Sequence, residues 1–399
     1  MNVISAPGTG LDLRTQRAVQ LMQRFAERTG LNSRTEGPRY LWTDAFAVCN
    51  FLSLAQATSE THYLDLARRL VSAVHATLGR HRSDDWREGW LSGLSERGAA
   101  AHPTWGGLRI GKPLPERKWD DALDEHLEWE RDGQYFHYLT RWMHALDQLA
   151  RFTHQARYNL WARELAAVAF AAFSVEPGHG GVKRLVWKMS IDLTRPLVAS
   201  MGHHDALDGF ITCVQLQSTA AALQSTAEGP SLLEERAGFE AMAEGSAWAT
   251  TDPLGLGSLL SDAYRVAQLQ AEGAKLDDEL FETLLSAALD GLAHYAHQNA
   301  LARPAASRLA FRELGLAVGL HALERLSRDG PARFRPTREA TRLLDALAPA
   351  VTLGPEIDAF WLKPEHREAS AWAEHRDLNE VTLATSLCPQ GYLELRPVR

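Results

Sequence analysis

The sequence predicts an all-α fold: six helical hairpins closed into a ring. Three observations carry this. Apolar residues recur at helical spacing almost throughout, and period-two runs are nearly absent, 185–188 and 392–395 being the only short strand candidates. Segments apolar nearly all round alternate with amphipathic ones, and a helix apolar on every side must be buried between neighbours. The turns expected within the pairs, at 58–60, 153–154, 228–230 and 330–331, are as short as antiparallel hairpins require.

The elements follow in order. The first helix is expected over 11–29, stopped by Gly30. The second starts with Thr43 as N-cap and runs through Ala45, Phe46, Val48, Phe51, Leu52 and Leu54 to Ala57. The third covers 61–78, ends at Gly79, and turns Asp65, Arg68 and Arg69 to solvent. The alternation then gives inner helices over 134–152, 204–226, 258–272 and 307–328. Their outer partners are expected over 155–173, 231–244, 277–297 and 337–347. A last inner helix over 378–387 pairs with the first helix and closes the ring. The whole chain, 1–399, reads as one domain interrupted by two long loops at 80–132 and 174–203. Both are rich in aromatics and precede an inner helix, so both are expected on one rim. An internal echo joins DAFAVCNFLSLAQAT from Asp44 to DALDGFITCVQLQST from Asp205, with DAYRVAQL from Asp262 a weaker copy.

Composition narrows the function classes. Hydrophobic residues make up 45%, enough for a sizeable core, and the net charge of −8 comes with no basic block, which argues against nucleic acid as a partner. The segment MNVISAPGTGLDLRTQ lacks the basic and apolar regions of a secretory signal. The longest apolar run, 165–175, is too short to span a bilayer. Cys49, Cys213 and Cys388 are far apart in apolar contexts and read as small buried hydrophobes, not as a disulfide framework or zinc cluster. A cytoplasmic protein is expected; the sequence is silent on oligomeric state. Of the 12 tryptophans, Trp42, Trp86, Trp90, Trp105, Trp119, Trp129, Trp187, Trp361 and Trp372 are expected in loops or at helix starts beside charges, where aromatic faces suit stacking on sugar rings.

The segments YLWTDAFAVCNFLSLAQAT (40–58), DGQYFHYLTRWMHALDQLARFT (132–153) and GHHDALDGFITC (202–213) carry a resemblance to the six-hairpin (α/α)6 toroid superfamily. That group includes glycoside hydrolases, unsaturated glucuronyl hydrolases and N-acylglucosamine 2-epimerases. The resemblance covers almost the whole chain as architecture and implies a site at the N-terminal ends of the inner helices. The paired histidines of the epimerases have no match here, His321 standing alone.

Several clusters offer chemistry. Asp44 beside Trp42 sets a carboxyl next to a stacking platform, or places a negative charge at a helix start. In WERDGQYFHYLTRW, Asp132, Gln134, Tyr135, His137, Tyr138 and Trp142 combine an acid, an amide and aromatics at three- and four-residue steps, as does the pair His137 and Arg141. In MGHHDALDGF, His203, His204 and Asp205 stand at a helix start, with Asp208 four residues after His204, spacing that permits an imidazole–carboxylate pair. No third metal ligand is evident. Trp187, Lys188, Asp192 and Arg195 on the second loop clamp an anion or anchor the loop by ion pairs, the latter being favoured. Arg312 and Glu313 on an inner helix must face the funnel or pair, and Trp372 opens the last inner segment. No GxSxG, GxxxxGK[ST] or HExxH occurs, and no cofactor is expected.

The expected function is a carbohydrate-active enzyme acting on a small sugar or oligosaccharide, a glycosidase-like hydrolase with Asp132 and Asp205 as paired carboxyls and Asp44 in reserve. The alternatives are a sugar epimerase or isomerase moving protons through His204 or His137, and a non-catalytic sugar-binding or scaffolding ring.

Overall fold

The computed structural model describes residues 11–33, 37–176 and 181–398, with backbone alone at 329–332. Most of the segment read for a secretory signal, residues 1–10, lies outside the described residues. The chain is predominantly helical. Its helices are α1 (Leu13–Arg28), α2 (Leu41–Thr58), α3 (Thr61–Leu78), α4 (Glu96–Ala101), α5 (Glu125–Glu130), α6 (Phe136–Thr153), α7 (Ala156–Phe173), α8 (Asp205–Ala222) and α9 (Leu233–Ala243). Then come α10 (Pro253–Ala271), α11 (Asp278–His297), α12 (Ala310–Arg333), α13 (Arg338–Leu347), α14 (Leu353–Leu362), α15 (Ser370–Ala373), α16 (Arg376–Leu387) and α17 (Gln390–Leu393). Among the described residues, no helix is long and apolar enough to cross a membrane.

Burial separates two kinds of helix. Every residue of α2 from Leu41 to Ala55 is buried, whereas α3 buries a stripe through Tyr63, Leu66, Leu70, Val74 and Leu78. The same contrast holds between α10 and α11. The helices buried all round touch in sequence: α2 meets α6, α6 meets α8, α8 meets α10, α10 meets α12, α12 meets α16, and α16 meets α2. Amphipathic helices lean on this cycle, α3 on α2, α7 on α6 and α8, α9 on α8, α11 on α10 and α1 on α16. One continuous hydrophobic core runs through all of them. The turns leaving α2 and α6 pass through Ser59 and His154, each in the left-handed region, which lets two residues reverse the chain.

Several boundaries differ from expectation. Helix α2 starts at Leu41, so Thr43 is inside the helix and not its cap; the Asp44 carboxylate reaches back to accept the Tyr40 amide at 3.2 Å. Helix α10 starts at Pro253, five residues before the expected 258, because Asp252 caps it by accepting the Gly255 amide at 3.1 Å and proline suits a first helical position. Helix α12 continues to Arg333 through the expected turn at 330–331. Helix α14 was not expected. The strand candidate at 392–395 is instead the end of α17 and an extended tail. That tail plugs one side of the core: His144 Nε2 and Gln148 Nε2 bond to the Tyr392 carbonyl, and Gln268 brackets it by donating to the Leu393 carbonyl and accepting the Leu395 amide.

The two insertions share one face. Strands β1 (Gln134–Tyr135), β4 (Lys188–Met189) and β5 (Pro196–Val198) form an antiparallel sheet in the order β1-β4-β5, with Gln134 opposite Met189 and Tyr135 opposite Lys188. A separate pair joins β2 (Ser174–Val175) to β3 (Arg184–Leu185). Arg87 ties the loops together, reaching Asp85 and Glu116 in the first and Asp192 in the second. Lys188 is wholly buried and donates to Glu128 at 2.8 Å, so it anchors a loop, as favoured from sequence.

Candidate functional site

The N-terminal turns of α2, α6, α8, α10, α12 and α16 surround one cavity of about 1130 Å³. Each inner helix sends one or two polar side chains from its first turns into it: Asp44 from α2, His137 and Arg141 from α6, Asp205 and Asp208 from α8, Ser258 from α10, Arg312 from α12 and Asp377 from α16. The geometry follows from helix physics. First-turn amides lack partners within the helix and carry the positive end of the dipole, so acids and caps collect there.

One wall is aromatic. Trp42 lies 5.1 Å from Tyr138 and 5.6 Å from His137, ring centre to ring centre. Tyr135 stacks on Trp187 at 5.7 Å, and Trp129 meets Trp187 edge-on at 4.8 Å. Tyr40 and Tyr138 join through their hydroxyls. The β1–β4 pairing delivers Trp187 to this wall, where its indole N–H donates to His137 Nδ1 at 2.9 Å. An indole nitrogen can only donate, so His137 accepts at Nδ1 and carries its proton on Nε2. Burial, reinforced by Arg141, pushes His137 down to about 3. On the opposite side His204 donates from Nε2 to the Trp248 carbonyl at 2.8 Å, and burial lowers it to about 4. Both imidazoles are neutral at pH 7.

The carboxyls divide by their partners. Asp205 is buried and accepts one backbone amide, that of Gly202, at 3.0 Å. Burial, helped by the charge of Asp208, pushes it up to about 7. Asp44 is buried with Arg39 at 3.6 Å; burial raises it to about 7 against the pull of that arginine. Asp208 differs. Burial opposes its ionisation, but Arg141 at 3.2 Å, Arg265 at 3.1 Å and the Thr140 hydroxyl outweigh it and hold Asp208 below the usual carboxylate range. Adjacent carboxyls pushed in opposite directions are the usual physical signature of acid–base work.

Of the residues singled out from sequence, Trp42, Asp44, Tyr135, His137, Tyr138, Trp187, His203, His204, Asp205, Asp208 and Arg312 line the cavity. Four do not. Asp132 is wholly buried beneath the rim, bound by Arg109 at 2.6 Å, Arg82 at 3.3 Å and the amides of Gly111 and Gly133, so it holds the first insertion to the core. Gln134 is spent on the backbone of Leu108 and Ile191. Trp142 faces the core and donates to His75 Nε2 at 3.1 Å. Trp372, in the short α15, is buried and stacks on Trp361, buried at the end of α14, at 5.6 Å, so neither offers a face to the cavity. Arg312 pairs with Asp252 at 2.6 Å on the cavity's edge. Tyr40 and Asp252 line the cavity without having been singled out; Asp252-Pro253 is itself a helix-start signal and marks that part of the wall. Among the described residues, no three His, Cys, Asp or Glu side chains gather as metal ligands would. Compared with protein-family models, curated proteins and solved structures, the chain matches none of them.

Proposed function

We propose that the cycle of helices is an (α/α)6 toroid and that its cavity hydrolyses a glycosidic bond, with Asp205 and Asp44 as the working carboxyls. The observation that carries this reading is the pair itself: two buried carboxyls, on α2 and α8, lining one cavity walled by Trp42, Tyr138, Trp187 and Trp129. Aromatic faces take the apolar side of a sugar ring, and carboxyls take its hydroxyls and its leaving oxygen. The roles follow from the neighbours. The strongest neighbouring charges lean opposite ways: Arg39 favours ionised Asp44 against the smaller effect of Asp377, while Asp208 favours the proton on Asp205 against the smaller effect of Arg141. Asp205 is therefore the proton donor to the departing glycosidic oxygen. Asp44 is the carboxylate that activates water or attacks the anomeric carbon. Asp208, fixed by two arginines, is a positioning residue.

Epimerisation through histidine fits less well. An acid–base group works best with a pKa near the working pH; His137 and His204 lie three or more units below neutrality, whereas Asp44 and Asp205 sit near it. The three cysteines, all free and buried, accord with a reducing compartment. The test is product analysis with a panel of glycosides, disaccharides and uronosides. Asp205→Asn and Asp44→Asn should each lower kcat about 10²–10⁴-fold, with circular dichroism unchanged. Full turnover in either folded variant would remove that residue from the mechanism, and sugar binding without product would favour a non-catalytic toroid.

A further inference from the structure

A second opening lies outside the central cavity, between the end of α1, the middle of α3 and the start of α7. It is a cleft of about 340 Å³ whose charged lining is Arg39, Arg68, Arg69 and Arg157. No Asp or Glu lines it among the described residues, although the chain as a whole carries a net charge of −8. Four guanidiniums gathered in one cleft repel one another, so their convergence needs a reason.

Capping supplies part of one. Arg39 Nη2 donates to the Thr29 carbonyl and Arg69 Nη2 to the Ser33 carbonyl at 3.4 Å, both near the C-terminal end of α1. Arg157 donates to the Tyr158 hydroxyl at 3.0 Å and lies over that ring. The nearest acid to Arg68 is Asp65, 3.5 Å away and mostly in solvent. These contacts leave donors over. Arg68 Nε is buried without a hydrogen-bond acceptor, whereas Arg39 Nη1 faces Asp44 Oδ1 at 3.6 Å, on the other side of its guanidinium from the Thr29 contact made by Nη2. A guanidinium carries five N–H donors and cannot discharge its proton, so a buried surplus calls for an acceptor from outside. Arginine, with its planar fork, is also the residue suited to bidentate capture of oxyanions.

We propose that this cleft is a binding site for a tetrahedral oxyanion, phosphate or sulfate, free or carried as an ester on a small molecule. Arg68 and Arg69 on α3 and Arg157 on α7 form its walls, and Arg39 its floor. Arg39 also pairs at 3.6 Å with Asp44, which lines the central cavity.

The full chain is titrated calorimetrically with inorganic phosphate, sulfate and glucose 6-phosphate, each against sodium chloride at matched ionic strength. Saturable binding is expected for the wild type. It should weaken at least about tenfold in Arg68→Gln/Arg69→Gln, and also in Arg157→Gln, which tests the opposite wall with a single exposed substitution. Tighter binding of the sugar phosphate than of inorganic phosphate assigns the site to an ester; equal binding assigns it to the free anion. The proposal is overturned if no oxyanion binds beyond the chloride control up to tens of millimolar, or if both variants, folded by circular dichroism, bind as the wild type does.

Discussion

Asp132 in the first insertion and Asp205 on the cavity wall are both buried acids close to the start of an inner helix, yet they live in opposite surroundings. Asp132 has two arginines and three backbone amides around it. Asp205 has one amide and a negatively charged neighbour. The same contrast separates the two regions at large. On the rim, Glu128 meets Arg117 and Lys188, and Asp85 and Glu116 meet Arg87. On the wall, Asp44 has a single arginine at 3.6 Å. A buried carboxylate supplied with cations holds structure in place. One left short of them is held by burial nearer to neutral pH, as Asp205 and Asp44 are.

Substitution should therefore have opposite signs in the two regions. The largest effect is expected at the rim. Asp132→Ala leaves Arg109 buried without its partner and should cost about 3–5 kcal/mol in urea unfolding. A loss below about 1 kcal/mol would place the weight of the insertion elsewhere.

On the wall the sign reverses and depends on pH. An unfolded aspartate titrates near pH 4, but Asp205 and Asp44 in the folded chain titrate near 7. Between those values the folded state holds a proton that the unfolded state has released. Each residue's contribution therefore falls as pH rises from about 4 to about 7 and stays flat above. Asparagine removes this loss. Asp205→Asn should match the wild type near pH 4 and exceed it at pH 8 by a few kcal/mol, at about 1.4 kcal/mol per unit of displacement. Asp44→Asn should gain less, since it also strips Arg39 of its counter-charge. Unfolding curves of wild type and variants at the two pH values decide the matter, and a variant less stable than the wild type at pH 8 contradicts the contrast drawn above.

Smaller effects follow from the aromatic wall and the outer surface. Tyr138→Phe removes the hydroxyl that Tyr40 bonds and should cost about 1 kcal/mol. Arg342→Ala, breaking an exposed pair with Glu339 on α13, should leave the unfolding midpoint unchanged, which sets the baseline for the buried sites.

The sequence made the helices legible because burial writes a period into each of them. The continuous apolar run from Leu41 to Ala55 and the striped one from Thr61 to Leu78 name their own environments. Helix starts were less legible where a tertiary contact replaced the local cap, as at Leu41, and where a chain reversal looked as plausible as a continued helix, as at 330–331. Many of the acids and aromatics that line the cavity were legible because they cluster at first turns. Asp132 misled because its arginines, Arg82 and Arg109, lie 50 and 23 residues away in sequence, in a loop whose path has no periodic signal. Trp372 misled for a related reason: a tryptophan among charges in sequence can still be covered in space, here by Trp361.

In the proposed mechanism Asp44 and Asp205 face one sugar across the cavity. The most direct measurement is a crystal structure of the Asp205→Asn variant soaked with a mixture of disaccharides, uronosides and N-acetylated sugars. A sugar is expected in the cavity, stacked on the Trp42–Trp187 wall, with its glycosidic oxygen within hydrogen-bond distance of residue 205 and its anomeric carbon facing Asp44. A sugar bound elsewhere on the molecule, or one held in the cavity with neither residue within reach of the glycosidic bond, contradicts that mechanism.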